Sequence, residues 1–323
     1  MVDTTEVFID RLGPPAETQL VRQIRDAVLG GRLAPGDALP SVRQLSRELG
    51  LDGLVVADAY RTLAHDAVLR RGRGGPVIDP DSVATLHRLS ARSLTRKVQA
   101  ALTTPIHLAT GRLEVLGDSM PLVDAGGDLI DVVDQSDTVH MFLGDVVGHG
   151  AGAALAMAMI RASIRTSLRW APDLTRVLED VNEMLRVTTA DRVYATAAAL
   201  RVDQAGHLQY VLAGHHHIAH WHAGSSRVCR LDRHQPALGL VGGTGWVAHR
   251  VVLGPGDLLA VYTDGLHETS DRRGALLGHE AIEHQLGEVA RRPLGEVRQA
   301  VLDLVERHGP QLDDRALLLA RLS

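Results

Sequence analysis

The sequence predicts an α+β protein of two domains, a small helical one ending in a basic hairpin and a larger one of strands and long helices. Three observations predict it. A length of 323 residues exceeds one typical core and suits two. Residues 17–65 place apolar side chains at helical spacing, with glycine and polar caps as punctuation. From about residue 108 the pattern changes to apolar strand-like runs alternating with Ala-rich helices, which points to α and β layers with much antiparallel sheet.

Composition narrows the function classes. Hydrophobic residues at 45% and charged residues at 23% are ordinary for a soluble globular chain, and aromatics at 3% leave the core to Ala, Leu and Val. A net charge of −5 gives no bulk attraction to nucleic acid. Cys229 is the only cysteine, so no intramolecular disulfide can form, which fits a reducing interior. The N-terminus lacks the basic-then-apolar layout of a signal peptide, and the small-apolar run at 151–160 is too short to cross a bilayer. The expectation is a cytoplasmic protein without a membrane partner.

In element order, Leu20, Val21, Ile24, Val28 and Leu29 share one helical face, and Gly30-Gly31 ends that helix. Ser41 opens a second helix with Gln44 three residues on, a capping-box spacing. A third helix starts near Asp52 and turns Val55, Val56, Tyr60 and Leu63 toward a core. "RRGRGG", Arg70 to Gly75, reads as a basic hairpin tip. Through the words "GRLAPGDALPSVRQLSRELGL", "AYRTL" and "RRGRG", residues 17–78 resemble the GntR family of winged-helix regulators.

That resemblance implies that the third helix enters the DNA major groove and that Arg43 helps grip the backbone. Arg71 and Arg73 on the basic hairpin are further candidates for DNA contact, with Arg47 and Arg70 beside them. The recognition helix departs from the family by opening on Asp52-Gly53-Leu54, an acid that would face phosphates and a side chain unable to make a bidentate base contact. Ten Arg against eleven Asp and Glu leave residues 1–80 at −1, without a basic footprint. DNA binding stays open beside a second reading, a winged helix kept for dimerisation or for docking another protein. A homodimer is the expected assembly.

Residues 81–107 form a helical linker in this reading. Val83, Leu86, Leu94, Val98 and Leu102 recur at three- or four-residue multiples, consistent either with a short coiled-coil stalk or with a surface helix packed on its own domain.

The second domain, 108–323, holds strand-like runs at 107–116, 129–134, 138–147, 195–203, 207–214, 256–265 and 315–322, with helices expected over 151–170, 173–188, 279–291 and 294–308. Four of its strand ends carry an Asp, most beside glycine: Asp128 with Asp131, Asp145, Asp264, and Asp313 with Asp314. One Asp-Gly is an ordinary turn. Four after apolar runs are more than turns need. Carboxylates gathered this way repel one another unless a cation lies between them, and oxygen ligation selects hard ions such as Mg²⁺ or Mn²⁺. Two such ions sharing a carboxylate would hold a hydroxide for in-line attack on phosphorus.

The words "GGDLIDV", "GDVVGHGAGAALAMA", "LAGHHH", "LGPGD", "YTDGLHET" and "LDDRALLLA" then make 108–323 resemble the metal-dependent, protein phosphatase 2C-like enzymes of the SpoIIE-type branch. The resemblance implies an α-β-β-α sandwich with two Mn²⁺ or Mg²⁺ ions at one end of its sheets. It implies that Asp145 bridges the ions, that the Val146 carbonyl reaches one, that Asp264 and Asp313 bind the other, and that Asp128 completes the site. It further implies a phosphorylated regulatory protein as substrate, for example an anti-anti-sigma factor. The alternative is a GntR-like transcription regulator whose phosphatase-like domain is a weak or inactive sensor. No Arg matches the phosphate-gripping one of the eukaryotic relatives, and Arg161 or Arg192 are the stand-ins weighed against a solvated role.

"AGHHHIAHWH", Ala213 to His222, carries five imidazoles in ten residues. Its first three residues are the family word, and His215 is a candidate for the cleft edge. The other rings read as the surface of one hairpin, with His220 and His222 on the face of Ile218 and Trp221 opposite.

Overall fold

The computed structural model describes residues 16–72, 75–122, 126–135, 137–148, 150–188 and 193–323. The chain divides into two compact units between Leu94 and Thr95.

In the first unit, α1 (Ala16–Leu29), α2 (Val42–Leu49) and α3 (Gly53–His65) precede a hairpin of β1 (Leu69–Gly72) and β2 (Gly75–Ile78). Leu20, Ile24, Leu45, Val56 and Leu63 are fully buried in its core. The caps are those the sequence predicts. The Ser41 hydroxyl accepts the Gln44 N–H at 3.3 Å, and the Asp52 carboxylate accepts the Leu54 N–H at 2.8 Å. The acid that departs from the family pattern therefore starts α3. The helix α4 (Ser82–Leu102) follows. Its Leu86 joins the first unit's core, and its Leu102 packs on the second unit's core. The side chain of Leu94, read as a seam position, lies outside the described residues.

The second unit runs β3 (Ile106–Thr110), β4 (Leu113–Met120), β5 (Asp128–Gln135), β6 (Thr138–Val146), α5 (Ala151–Trp170), α6 (Leu174–Thr188), β7 (Ala195–Asp203) and β8 (His207–Ala213). It continues with β9 (Ile218–His222), β10 (Arg227–Leu231), β11 (His234–Gln235), β12 (His249–Val252), β13 (Leu258–Tyr262), α7 (Asp264–His267), α8 (Gly278–Val289), α9 (Leu294–His308) and β14 (Arg315–Leu322). One sheet is ordered β10-β9-β13-β14-β4-β3 and the other β11-β8-β7-β6-β5, with β12 paired to β8. The run 107–116 is two strands rather than one, because Gly111 takes a positive φ and turns the chain back between β3 and β4.

Period-2 alternation builds the layers. In β6, Val139, Met141 and Leu143 enter the core between the sheets, whereas Phe142 and Val146 meet the helices α5 and α6. Tyr262, Leu258 and Ala260 of β13 face α8 and α9 on the opposite side. The result is the α-β-β-α sandwich expected from the sequence. No helix among the described residues is long and apolar enough to cross a membrane.

Candidate active site

Antiparallel pairing brings distant strand ends together. The first residue of β5, Asp128, is the register partner of Asp145 near the end of β6. The junction of β13 with α7 brings Asp264, and the approach to β14 brings Asp313 and Asp314. Thr263 ties these segments. Its hydroxyl donates to Asp128 Oδ2 at 2.8 Å and accepts the Ala316 N–H at 2.8 Å. Ala316, three residues after Asp313, is fully buried there.

The paired acids divide their work. Asp314 is buried and accepts the N–H of Leu122 and of Gly127, each at 2.8 Å, so it fixes the backbone of the residue before Asp128. Asp313 is exposed, and among the described residues its carboxylate accepts only the Asp314 N–H, at 2.8 Å. The glycines are spatial necessities at two points. A Cβ on Gly127 would stand 2.3 Å from the Val146 carbonyl oxygen and 2.6 Å from Asp145 Oδ1, and one on Gly265 would stand 1.8 Å from the Asp314 carbonyl oxygen.

Electrostatics marks the same group. Burial first, then Asp145, lifts Asp128 well above the carboxylate range, although the Thr263 hydrogen bond pulls the other way. Burial, then Asp264, Asp313 and Asp314, pushes Asp145 from 3.8 up to about 7. Asp264 is raised by burial and by Asp313. Each acid resists ionising first because it is buried and then because its neighbours are acids. A donor set of crowded carboxylates beside a backbone carbonyl fits hard divalent cations, which would relieve that repulsion.

Beside the acids lies a cleft of about 200 Å³ lined by Asp145, Thr196, Thr263, Asp264, His215, His216 and His267, among others. The histidine-rich segment is not a hairpin surface. His215, His217 and His220 are buried, whereas the alternation of Ile218 against Trp221, the shared face of His220 and His222 and the place of His215 at the cleft are as expected. The segment leaves the surface because β9 lies inside its sheet, between β10 and β13. His220 Nε2 meets Asp257 Oδ2 at 3.0 Å, and His217 Nε2 meets Glu283 Oε1 at 2.7 Å. Burial, and then the neighbouring rings, lowers His216 to about 2 and His267 to about 4; burial and His267 lower His279 to about 4. Sequence reasoning missed Thr263, His267 and His279 as site residues; the only sequence signal was their place beside "YTDGLHE" and at the head of the helix that follows it.

Asp131, grouped with Asp128 in the sequence, serves a different purpose. It is fully buried and binds Arg165 at 2.7 Å and Arg161 at 3.2 Å, and Arg161 also donates to the Leu102 carbonyl. Arg161 is thus committed to helix packing, and Arg192 lies outside the described residues. In the first unit Arg43 and Arg71 are exposed on α2 and β1, and Arg73 lies outside the described residues.

The four-layer sandwich with acids at one end of its sheets is the fold of PP2C-type phosphatases. The chain belongs to the Stage II sporulation protein E (SpoIIE) family, whose model matches residues 135–323, and residues 16–78 match bacterial regulatory proteins of the gntR family. The first part is 42% identical over 89 residues to the HTH-type pyridoxine biosynthesis transcriptional regulator PdxR of Corynebacterium glutamicum, covering 27% of this chain and 19% of that protein. The second part is 22% identical over 165 residues to the phosphoserine phosphatase RsbU of Bacillus subtilis, covering 51% of this chain and 49% of that protein. The solved RsbU and RsbW domains of Rv1364c from Mycobacterium tuberculosis superpose with a TM-score of 0.59 at 25% identity, over 68% of this chain and 62% of that one. The chain therefore spans less than two thirds of each of these relatives.

Proposed function

We propose that residues 108–323 form a metal-dependent protein serine/threonine phosphatase, with two Mn²⁺ or Mg²⁺ ions held by Asp128, Asp145, the Val146 carbonyl, Asp264 and Asp313. The observation that carries this reading is the gathering of acids with raised proton affinity at one end of two stacked sheets. When bound, such ions supply Lewis acidity toward a phosphoryl oxygen and lower the pKa of water. The chain's own residues do the positioning. Thr263 orients the Asp128 carboxylate, Asp314 pins the Gly127 backbone, and Gly127 leaves room for the Val146 carbonyl and Asp145 to share one side. The adjacent cleft of about 200 Å³ opens beside these acids, where a phosphorylated side chain would have to enter.

The likeness to a phosphoserine phosphatase supports phosphoserine or phosphothreonine on a regulatory protein, such as an anti-anti-sigma factor, as the substrate class. Residues 1–80 are the regulatory winged helix in this reading, 81–107 the linker, and a homodimer the working assembly. The intact set of acids favours an enzyme over an inactive sensor domain. The test is phosphate release from phosphoserine, phosphothreonine and phosphotyrosine peptides with Mn²⁺, and again after chelation. Release from the first two, abolished by the chelator, is the expected result. Release that persists without divalent ions, or only from phosphotyrosine, contradicts the reading.

A further inference from the structure

The proposed ions use oxygen donors, yet the same cleft borders a second donor set made only of nitrogen. His216 follows β8, His267 ends α7 and His279 sits in the first turn of α8. One ring nitrogen from each lies within 4.8 Å of the other two. The rings of His267 and His279 stack with centroids 3.9 Å apart, and His216 sits 4.9 and 4.8 Å from them. Three imidazoles from three separate elements do not meet by local sequence; the fold brings them together.

We propose that His216, His267 and His279 form a binding site for a borderline divalent cation, Zn²⁺ by class, distinct from the carboxylate site and adjoining it.

Three further observations agree. First, outer bonds of the kind that orient metal-binding imidazoles are already made. His216 Nε2 donates to the Tyr262 carbonyl at 2.5 Å, and His279 Nδ1 meets the Tyr262 hydroxyl at 3.1 Å. Tyr262 thus holds two of the three rings; His216 Nδ1 also lies 3.0 Å from the His217 carbonyl, so one of the two carbonyl contacts of that ring would give way to the metal. Second, His267 Nδ1 is buried and makes no hydrogen bond among the described residues, a desolvated donor or lone pair that a metal would satisfy. Third, all three rings are held neutral near pH 7, the state in which imidazole ligates.

The donor chemistry separates this site from its neighbour. Imidazole nitrogen suits Zn²⁺, whereas carboxylate and carbonyl oxygen suit Mg²⁺ and Mn²⁺. Three protein ligands leave a tetrahedral ion one open position. His216 and His267 line the cleft, so water or a ligand reaches that position from it. His267 lies three residues beyond Asp264 in the same short helix. Zinc there would hold that helix against α8.

The experiment titrates Zn²⁺ into the chelator-stripped full chain, with saturating Mg²⁺ filling the acid site, against a chromophoric competitor, and uses Co²⁺ as a spectroscopic substitute. Wild type is expected to bind Zn²⁺ and to give cobalt absorption of tetrahedral strength with nitrogen ligands. His279→Gln and His267→Asn should each weaken binding by about tenfold or more, a scale at which even outer-ligand losses register. Asp145→Asn and His222→Ala should leave it unchanged, the latter because His220, His222 and Asp257 form a separate cluster. The cobalt spectrum of the wild-type chain stands whether or not a variant folds. No zinc binding, an octahedral cobalt spectrum, or binding lost in His222→Ala or Asp145→Asn but kept in His279→Gln would each overturn the proposal.

Discussion

At the scale of single residues, close approaches that leave no room for a side chain and buried acids that oppose each other's ionisation define the site. Gly127 is the sharpest case. Gly127→Ala drives a methyl group into the Val146 carbonyl and Asp145, so the expected outcome is loss of most Mn²⁺-dependent turnover with circular dichroism unchanged. Turnover within twofold of wild type would show that this approach does not position the site. His140 makes a separate, pH-dependent prediction. It is fully buried on β6, where burial lowers it from 6.5 to about 4, with the Arg201 charge acting the same way and the Pro172 carbonyl at 3.4 Å opposing. A depressed folded pKa means the unfolded chain takes the proton first. The neutral ring's contribution is therefore complete above pH 6.5 and is lost as pH falls toward 4. Urea unfolding of wild type and His140→Asn over that window should give a shallower acid loss in the variant; parallel curves would contradict the assignment. The candidate acids were legible in the sequence because each lies at one end of an apolar run, and most adjoin a glycine. Thr263 and Asp314 were not legible as positioning groups, since a threonine or a second Asp near a turn has many ordinary uses.

At the scale of elements, the strongly periodic segments were readable and the edges were not. The helices α5, α6, α8 and α9 lie within two residues of their expected spans, because their apolar faces repeat over three or more turns. The strands β10, β11 and β12 are short, with burial patterns dominated by exposed or half-buried residues, so no apolar alternation announced them. The histidine-rich strand was misread for a related reason: sequence shows which side chains alternate but not that β10 will cover the edge. In the first unit, α3 carries its own prediction. Asp52 caps that helix while Leu54 stands 71% exposed in its first turn. Asn caps as well as Asp does, so Asp52→Asn removes a charge and keeps the helix. If this helix enters DNA, the variant should retard duplex DNA at lower concentration than wild type, and Arg43→Ala with Arg71→Ala should weaken retardation and its salt dependence. Equal retardation by all three proteins would place any DNA contact elsewhere.

At the scale of the whole molecule, a gntR-like winged helix and a phosphatase-type sandwich share one chain, and ions should act on the second as ligands act on any native state. A divalent ion that binds only the folded site stabilises it by about 2.7 kcal/mol at a hundredfold excess over its dissociation constant. Thermal unfolding of the stripped chain should therefore shift upward with Mn²⁺, and Asp145→Asn should lose that shift while unfolding at or above the wild-type apo temperature, since the variant removes one of several repelling acids. A shift of equal size in both proteins would mean that Mn²⁺ stabilises the chain from another site. The central claim is that these acids hold the ions that drive hydrolysis, and hydrolysis of an aryl phosphate by the full chain tests it most directly. Wild type should turn over in Mn²⁺ and stop on chelation, and Asp145→Asn, folded by circular dichroism, should show at most background turnover. Metal-independent hydrolysis, or an Asp145→Asn variant as active as wild type, would contradict it.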